Sequence, residues 1–317
     1  MPESAVASAN DSPDDAASHV DVRPMSVHIG AEIHGIDLRE PLSDAEVNAV
    51  RAALLKWKVV FFHDQEMDHA QHVRFARQFG QPTPGHVVFG GEADHPAIYS
   101  VAKFRKANAK GVQPNLRPWS GWHTDITAAL NPPFASILRG VVVPPYGGDT
   151  QWTNLVAAFN SLSPSLQGWL QTLHAEHRYD PPRNATKSSE YDEIISQNSL
   201  VSIHPLVTVH PETGERALYV SPGFLRRIVE LAPHESDHVI QMLWEHAVLP
   251  EYTVRFRWAP GSVAFWDNRS TAHLAPRDIF DADFDRQFYR VTLLGAVPVG
   301  VDGKTSEAVE GDLIPGL

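Results

Sequence analysis

Four apolar or alternating runs, at 134–143, 252–258, 262–266 and 287–296, constrain what this chain can fold into more than any other feature. Residues 252–258 alternate with the period of two expected of a strand with one buried face, and 262–266 is an apolar run of buried-strand length. Helical signals fall earlier and in the middle. Ser43 followed by Glu46 has the spacing of a capping box and opens a helix whose Val47, Val50 and Leu54 share a face. After the strand-like run at 59–62, a second amphipathic segment from about 68 to 79 turns Val73, Ala76 and Phe79 inward and stops at Gly80. Further helices are expected from Ser163-Pro164 and over 234–248, and short strands over 20–36, broken by Gly30 and Gly35. No internal repeat is present. The expectation is one mostly β domain over 20–317 with helical insertions on a double-stranded β-helix (jelly-roll) core.

The flanking and connecting segments read differently. Residues 1–19 are polar and acidic, with neither the basic nor the apolar region of a secretory signal, and are expected to be a disordered tail. No apolar run approaches the roughly 18 residues of a membrane span, so a cytoplasmic protein with no membrane partner is expected. Residues 83–121 lack periodicity, carry scattered Pro and Gly, and include Lys103, Arg105, Lys106 and Lys110, which suggests a lid at 85–118. A formal charge of −12 argues against nucleic acid as a partner, although a local basic pocket for a small anion is compatible with it. The chain has no cysteine, which excludes disulfides, thiolate metal sites and a cysteine nucleophile, so any metal must be held by His and carboxylate.

His123 and Asp125 are two residues apart, a spacing that puts both on one face of an extended segment. Such a pair carries little weight alone, because His19 and Asp21 form another among 17 histidines. His273, just after the strand at 262–266, supplies a third candidate ligand. Two His and one carboxylate can occupy one face of an octahedron and leave the other positions open, as in non-haem Fe(II) oxygenases. A zinc hydrolase could use the same ligand types, so spacing leaves the metal undecided.

The runs 29–38 (IGAEIHGIDL), 122–127 (WHTDIT), 146–150 (YGGDT), 266–269 (WDNR) with His273, and 286–295 (RQFYRVTLLG) fall in that order along the chain. With them the sequence resembles the taurine dioxygenase family of Fe(II)/2-oxoglutarate enzymes. The resemblance implies that His123, Asp125 and His273 bind Fe(II), and that Thr150 and Arg286 hold the distal carboxylate of 2-oxoglutarate. It also implies O2 as co-reactant, succinate and CO2 as products, and a homo-oligomer. A guanidinium suits a carboxylate because it offers two parallel charge-assisted hydrogen bonds. Without the resemblance, Arg286 would read as a surface ion pair with Asp283 or Asp285, and Thr150 as a turn residue capping its own backbone.

Arg290 matches the arginine that holds the substrate anion in this family, which implies a small anionic organic substrate. Structural pairing with a carboxylate is its alternative. His86 matches a substrate-contacting histidine. Phe89 and Trp119 stand where the family has a tyrosine and an asparagine, changes that favour a larger apolar pocket over a small amine-bearing substrate. The stretches 210–216 and 297–306 are most similar to the alkyl sulfate ester dioxygenases of the family. Asp125 itself sets the chain apart from the related halogenases, which lack a carboxylate at this position. Two alternatives remain open at this point. One is an oxygenase for a carboxylate substrate such as an aryloxyalkanoate or an amino-acid-derived metabolite; the other is a non-catalytic 2-oxoglutarate-binding jelly-roll protein.

Overall fold

The computed structural model describes residues 20–86, 90–102, 121–179 and 198–317. A seven-stranded sheet holds β1 (Asp21–Pro24), β2 (Ala31–His34), β3 (Val59–Phe62), β13 (Val263–Asp267), β5 (Ala135–Val142), β15 (Gln287–Leu293) and β4 (Tyr99–Ala102), in that order. A three-stranded sheet of β12 (Thr253–Phe256), β6 (Thr150–Asn154) and β14 (Thr271–Leu274) faces it. Four more strands, β11 (Leu225–Ile228), β7 (His174–Arg178), β8 (Val201–Pro205) and β16 (Glu307–Glu310), make a separate sheet, and β9 (Val207–Val209) pairs with β10 (Arg216–Leu218).

The period of two explains the layers. Along the large sheet Val60, Phe62, Ile137, Val263, Phe265, Val291 and Leu293 point to one core, shared with α1 (Asp44–Trp57) and α2 (His69–Arg77). The alternate residues Val59, Phe61, Leu138, Ala264, Trp266 and Phe288 meet Trp152, Val254 and Phe256 of the small sheet. Strands buried on both faces read as continuous apolar runs, which is why 59–62 and 262–266 showed no alternation. A third core lies beyond the small sheet, where Ala272 packs with residues of α3 (Leu155–Asn160) and α4 (Pro233–Ala247). α1 begins at the expected capping box: Glu46 N–H donates to Ser43 Oγ, and the Glu46 carboxylate accepts from Ser43 N–H at 2.8 Å.

One expectation needs correction. Residues 99–102, read as part of an irregular lid, form edge strand β4 against β15, with Tyr99 opposite Arg290. Four residues are too few for a period to stand out from the surrounding turns. The tail 1–19 and residues 103–118 of the expected lid lie outside the described residues, as do Phe89 and Trp119. Among the described residues no helix is long and apolar enough to cross a membrane.

Candidate functional site

His123 and His273 are brought together by backbone pairing. They face each other in an isolated antiparallel bridge, with His123 N–H donating to His273 O at 2.9 Å and His273 N–H to His123 O at 2.7 Å. The imidazole centroids lie 4.2 Å apart. Thr124 pins the intervening backbone: its N–H donates to Ser221 Oγ at 3.0 Å and its hydroxyl to Thr271 O at 2.8 Å. Gly223 packs against His123, where an added Cβ would come within 3.1 Å of the His123 Cβ.

The chain is extended only as far as Thr124. Asp125 opens a turn in which Ile126 takes a left-handed φ of 50°. Two buried histidines hold that turn from behind, His204 Nε2 at 2.7 Å from Thr127 O and His177 Nδ1 at 2.8 Å from Thr127 Oγ1. Burial pushes His204 down to about 4 and His177 well below its ordinary value, so both serve as neutral hydrogen-bonding groups at neutral pH.

The resulting trio can hold a metal ion: one ligand atom from each of His123, Asp125 and His273 lies within 4.8 Å of the others. His123 Nδ1 is 2.9 Å from Gly121 O, which can only accept, so Nδ1 carries a proton. Its Nε2 faces Asp125 Oδ1 at 3.8 Å, and His273 Nε2 lies 4.0 Å from the same oxygen. Burial, then the neighbouring His123, pushes His273 well below its ordinary value, leaving it neutral. Burial raises the Asp125 carboxyl, but the Arg290 guanidinium, His273, His123 and the Ser136 hydroxyl together outweigh it and hold the group well below the usual carboxylate range. Two imidazoles and an ionised carboxylate converging without bonds between them form a donor set for a divalent cation. An N/O set without thiolate fits Fe(II).

Thr150 and Arg286 are joined through aromatic packing. Trp258 N–H donates to Thr150 Oγ1 at 2.9 Å, and the Trp258 ring packs on Phe288 at 4.7 Å between centroids. The Arg286 guanidinium lies 3.7 Å from the centre of that same Phe288 ring. An indole N–H can only donate, so Thr150 keeps its own hydroxyl proton to give elsewhere. Arg286 is buried, its Nε has no hydrogen-bond partner, and it makes no ion pair among the described residues. Burial pushes it down to about 10, still cationic at neutral pH, with Asp278 acting in the opposite direction. Neither Asp283 nor Asp285 pairs with its side chain; Asp285 accepts only from the Arg286 backbone N–H, at 2.7 Å. A buried cation with an unpaired Nε, linked through Phe288 and Trp258 to a hydroxyl that keeps its proton, fits a carboxylate ligand.

Arg290 does pair with a carboxylate, and the partner is Asp125: NH1 lies 2.5 Å from Oδ1. Its guanidinium also lies 5.4 Å from the Tyr99 ring centre. Aromatic rings continue from there, His86 at 4.8 Å from Tyr99 and 6.3 Å from Tyr179, and Tyr179 stacked on Phe224 at 5.7 Å. Sequence reasoning missed Tyr99, Trp258 and Ser136, whose hydroxyl donates to Asp125 Oδ2 at 2.6 Å. Trp258 could have been found at the end of its alternating run. Ser136 stood out only as a polar residue in an apolar strand.

Residues 21–292 match the model of the taurine catabolism dioxygenase TauD, TfdA family. An alpha-ketoglutarate-dependent sulfate ester dioxygenase of Pseudomonas putida is 38% identical, the match covering 92% of this chain and 94% of that protein. An alkylsulfatase of Acinetobacter baylyi is 33% identical over 89% of this chain and 87% of its own. A crystal structure of a taurine dioxygenase from Burkholderia xenovorans superposes with a TM-score of 0.82 at 57% identity, covering 92% of this chain and 95% of that one. With the sheets in jelly-roll order and the match running through both halves of the site, the chain belongs to the TauD/TfdA dioxygenase family.

Proposed function

We propose that this chain is an Fe(II)- and 2-oxoglutarate-dependent dioxygenase that hydroxylates the carbon bearing a sulfate ester or sulfonate group. The observation that carries the reading is a pair of cations at β15: Arg286, just before the strand, buried and without an ion-pair partner among the described residues, and Arg290 within it, at the edge of the His123, Asp125 and His273 trio. A cosubstrate and a substrate that are both anions need two such groups. Sulfate esters and sulfonates, the substrate types in the names of two relatives, share a three-oxygen anionic head that a guanidinium can bind bidentately.

In this reading His123 Nε2, His273 and Asp125 Oδ1 hold the iron, and Thr150 and Arg286 hold the distal carboxylate of 2-oxoglutarate. Arg290 takes the substrate anion, with His86 alongside it. Iron with 2-oxoglutarate and O2 would supply the oxidant that inserts one oxygen into a substrate C–H bond, the other oxygen leaving in succinate as CO2 is lost. Hydroxylation beside a sulfate ester gives a product whose C–O(sulfate) bond breaks as the new hydroxyl becomes a carbonyl, yielding an aldehyde and sulfate. The rings of Tyr99, His86, Tyr179 and Phe224 offer the apolar part of the substrate a surface and help to exclude water.

The test is a series of linear alkyl sulfates, alkyl sulfonates and alkyl carboxylates given to the iron-loaded enzyme with 2-oxoglutarate in air. Succinate and sulfate (or sulfite) should form in equal amounts with the sulfur compounds. Coupled turnover of the carboxylates alone would replace the sulfur reading with the carboxylate one.

A further inference from the structure

We propose that Ser136 and Asn268 are positioning residues that aim the Asp125 carboxylate through a one-way chain of hydrogen bonds starting at Trp266. The inference rests on reading His123, Asp125 and His273 as the metal site. Trp266 Nε1 lies 2.9 Å from Asn268 Oδ1, Asn268 Nδ2 lies 2.9 Å from Ser136 Oγ, and Ser136 Oγ lies 2.6 Å from Asp125 Oδ2. All four side chains are buried, so water does not compete for these bonds.

The direction of every bond is forced. An indole N–H can only donate, so the Asn268 atom facing it must be the amide oxygen; this settles an amide orientation that is otherwise ambiguous. The NH2 group then faces Ser136 and donates to its oxygen. Ser136 has one proton left, and the ionised Asp125 oxygen can only accept it. Reversing any member would leave a buried donor without an acceptor. The backbone is equally constrained, because Ser136 lies directly opposite Trp266 on β13 and Thr292 on β15 in the sheet register.

The consequence concerns coordination number. Ser136 holds Oδ2 while Arg290 NH1 holds Oδ1 at 2.5 Å, so rotation about the Cβ–Cγ bond is restrained at both oxygens, and Oδ1 is the oxygen presented to His123 and His273. A carboxylate free to turn could offer both oxygens to a metal and take up a position needed by a chelating 2-oxo acid or by O2. The chain therefore keeps Asp125 a single-oxygen ligand. Partners of this kind behind a metal ligand typically alter metal affinity by about 10–100-fold.

The experiment titrates Co(II) into the metal-free full-length protein and follows affinity and the Co(II) absorption spectrum, which reports coordination geometry. Ser136→Ala should bind Co(II) about 10–100-fold more weakly, with an altered spectrum. Asn268→Leu should move in the same direction, and the double variant should bind no more weakly than Ser136→Ala, because Asn268 acts only through Ser136. Parent-like affinity and spectrum in Ser136→Ala, or additive losses in the double variant, would overturn the proposal. If Asn268→Leu does not fold, the Ser136→Ala titration decides alone, with its circular dichroism confirming a folded chain. A parent protein that binds no Co(II) would overturn the metal-site reading itself, and the positioning proposal with it.

Discussion

Arg286 and Arg290 are four residues apart, yet their surroundings differ in kind. Arg290 has a resident counter-charge in Asp125, whereas Arg286 is buried with no ion pair among the described residues and an unbonded Nε. A cation already paired is electrostatically complete, and it can exchange its partner when a ligand arrives. A buried cation without a partner is costly unless a ligand completes it. The start of β15 thus carries two cations of different character, one paired with Asp125 and one packed on Phe288, which in turn packs on Trp258. In the proposed reading, that difference gives the cosubstrate's far end to Arg286 and the substrate anion to Arg290.

The largest expected effect comes from removing the ligands that give Arg290 its neighbourhood. His273→Ala should abolish Co(II) binding and succinate formation while the protein stays folded, because a facial set reduced to two protein ligands binds poorly. Retention of Co(II) binding in a calorimetric titration would dissolve the comparison by removing the metal from one of its sides.

Next in size is Arg290→Ala. Truncating one member of a buried charge pair costs about 2–5 kcal/mol, expected here in kcat/KM for the anionic substrate. The contact with Asp125 adds a second readout. Metal affinity should change as well, since the variant removes a cation 2.5 Å from the ligand oxygen. Equal turnover of neutral and anionic substrates by the parent enzyme would show that Arg290 is only a structural partner of Asp125.

Arg286→Ala should raise the 2-oxoglutarate concentration needed for half-maximal succinate formation by about 10–100-fold, corresponding to about 1.5–3 kcal/mol for a hydrogen bond to a charged group. Metal affinity should not follow. If both arginine variants shift metal and cosubstrate binding together, the two sites are one. The smallest effect belongs to Trp258→Phe, which removes the N–H that fixes the Thr150 hydroxyl and keeps most of the packing on Phe288. About 1 kcal/mol, or a severalfold rise in the 2-oxoglutarate requirement, is expected for one neutral hydrogen bond. A fall in that requirement would indicate that the indole competes with the cosubstrate for Thr150.

Much of this arrangement was legible in the residues, and the illegible parts share a cause. The capping box at Ser43 and Glu46 and the apolar runs of β3 and β13 are local signals, and the structure matches them. His123, Asp125 and His273 were readable as ligand types, but their convergence depends on a two-residue bridge joining segments far apart in sequence. The turn at Asp125 was hidden because Ile126, a β-branched residue, gives no hint of a left-handed φ. Phe288 and Thr150 come from two strands and Trp258 from the segment just after a third, so a single sequence without its register cannot show that they form one cluster with Arg286. Four-residue β4 fell below the length at which a period can be seen, and Tyr99 was lost with it.

The most direct test of the oxygenase chemistry is the isotopic composition of succinate formed under isotopically heavy O2 in the presence of iron, 2-oxoglutarate and an alkyl sulfate. One heavy oxygen atom per succinate is expected, with succinate formation dependent on His123 and His273. Succinate carrying no heavy oxygen, or forming equally well in the His273→Ala variant, would contradict it.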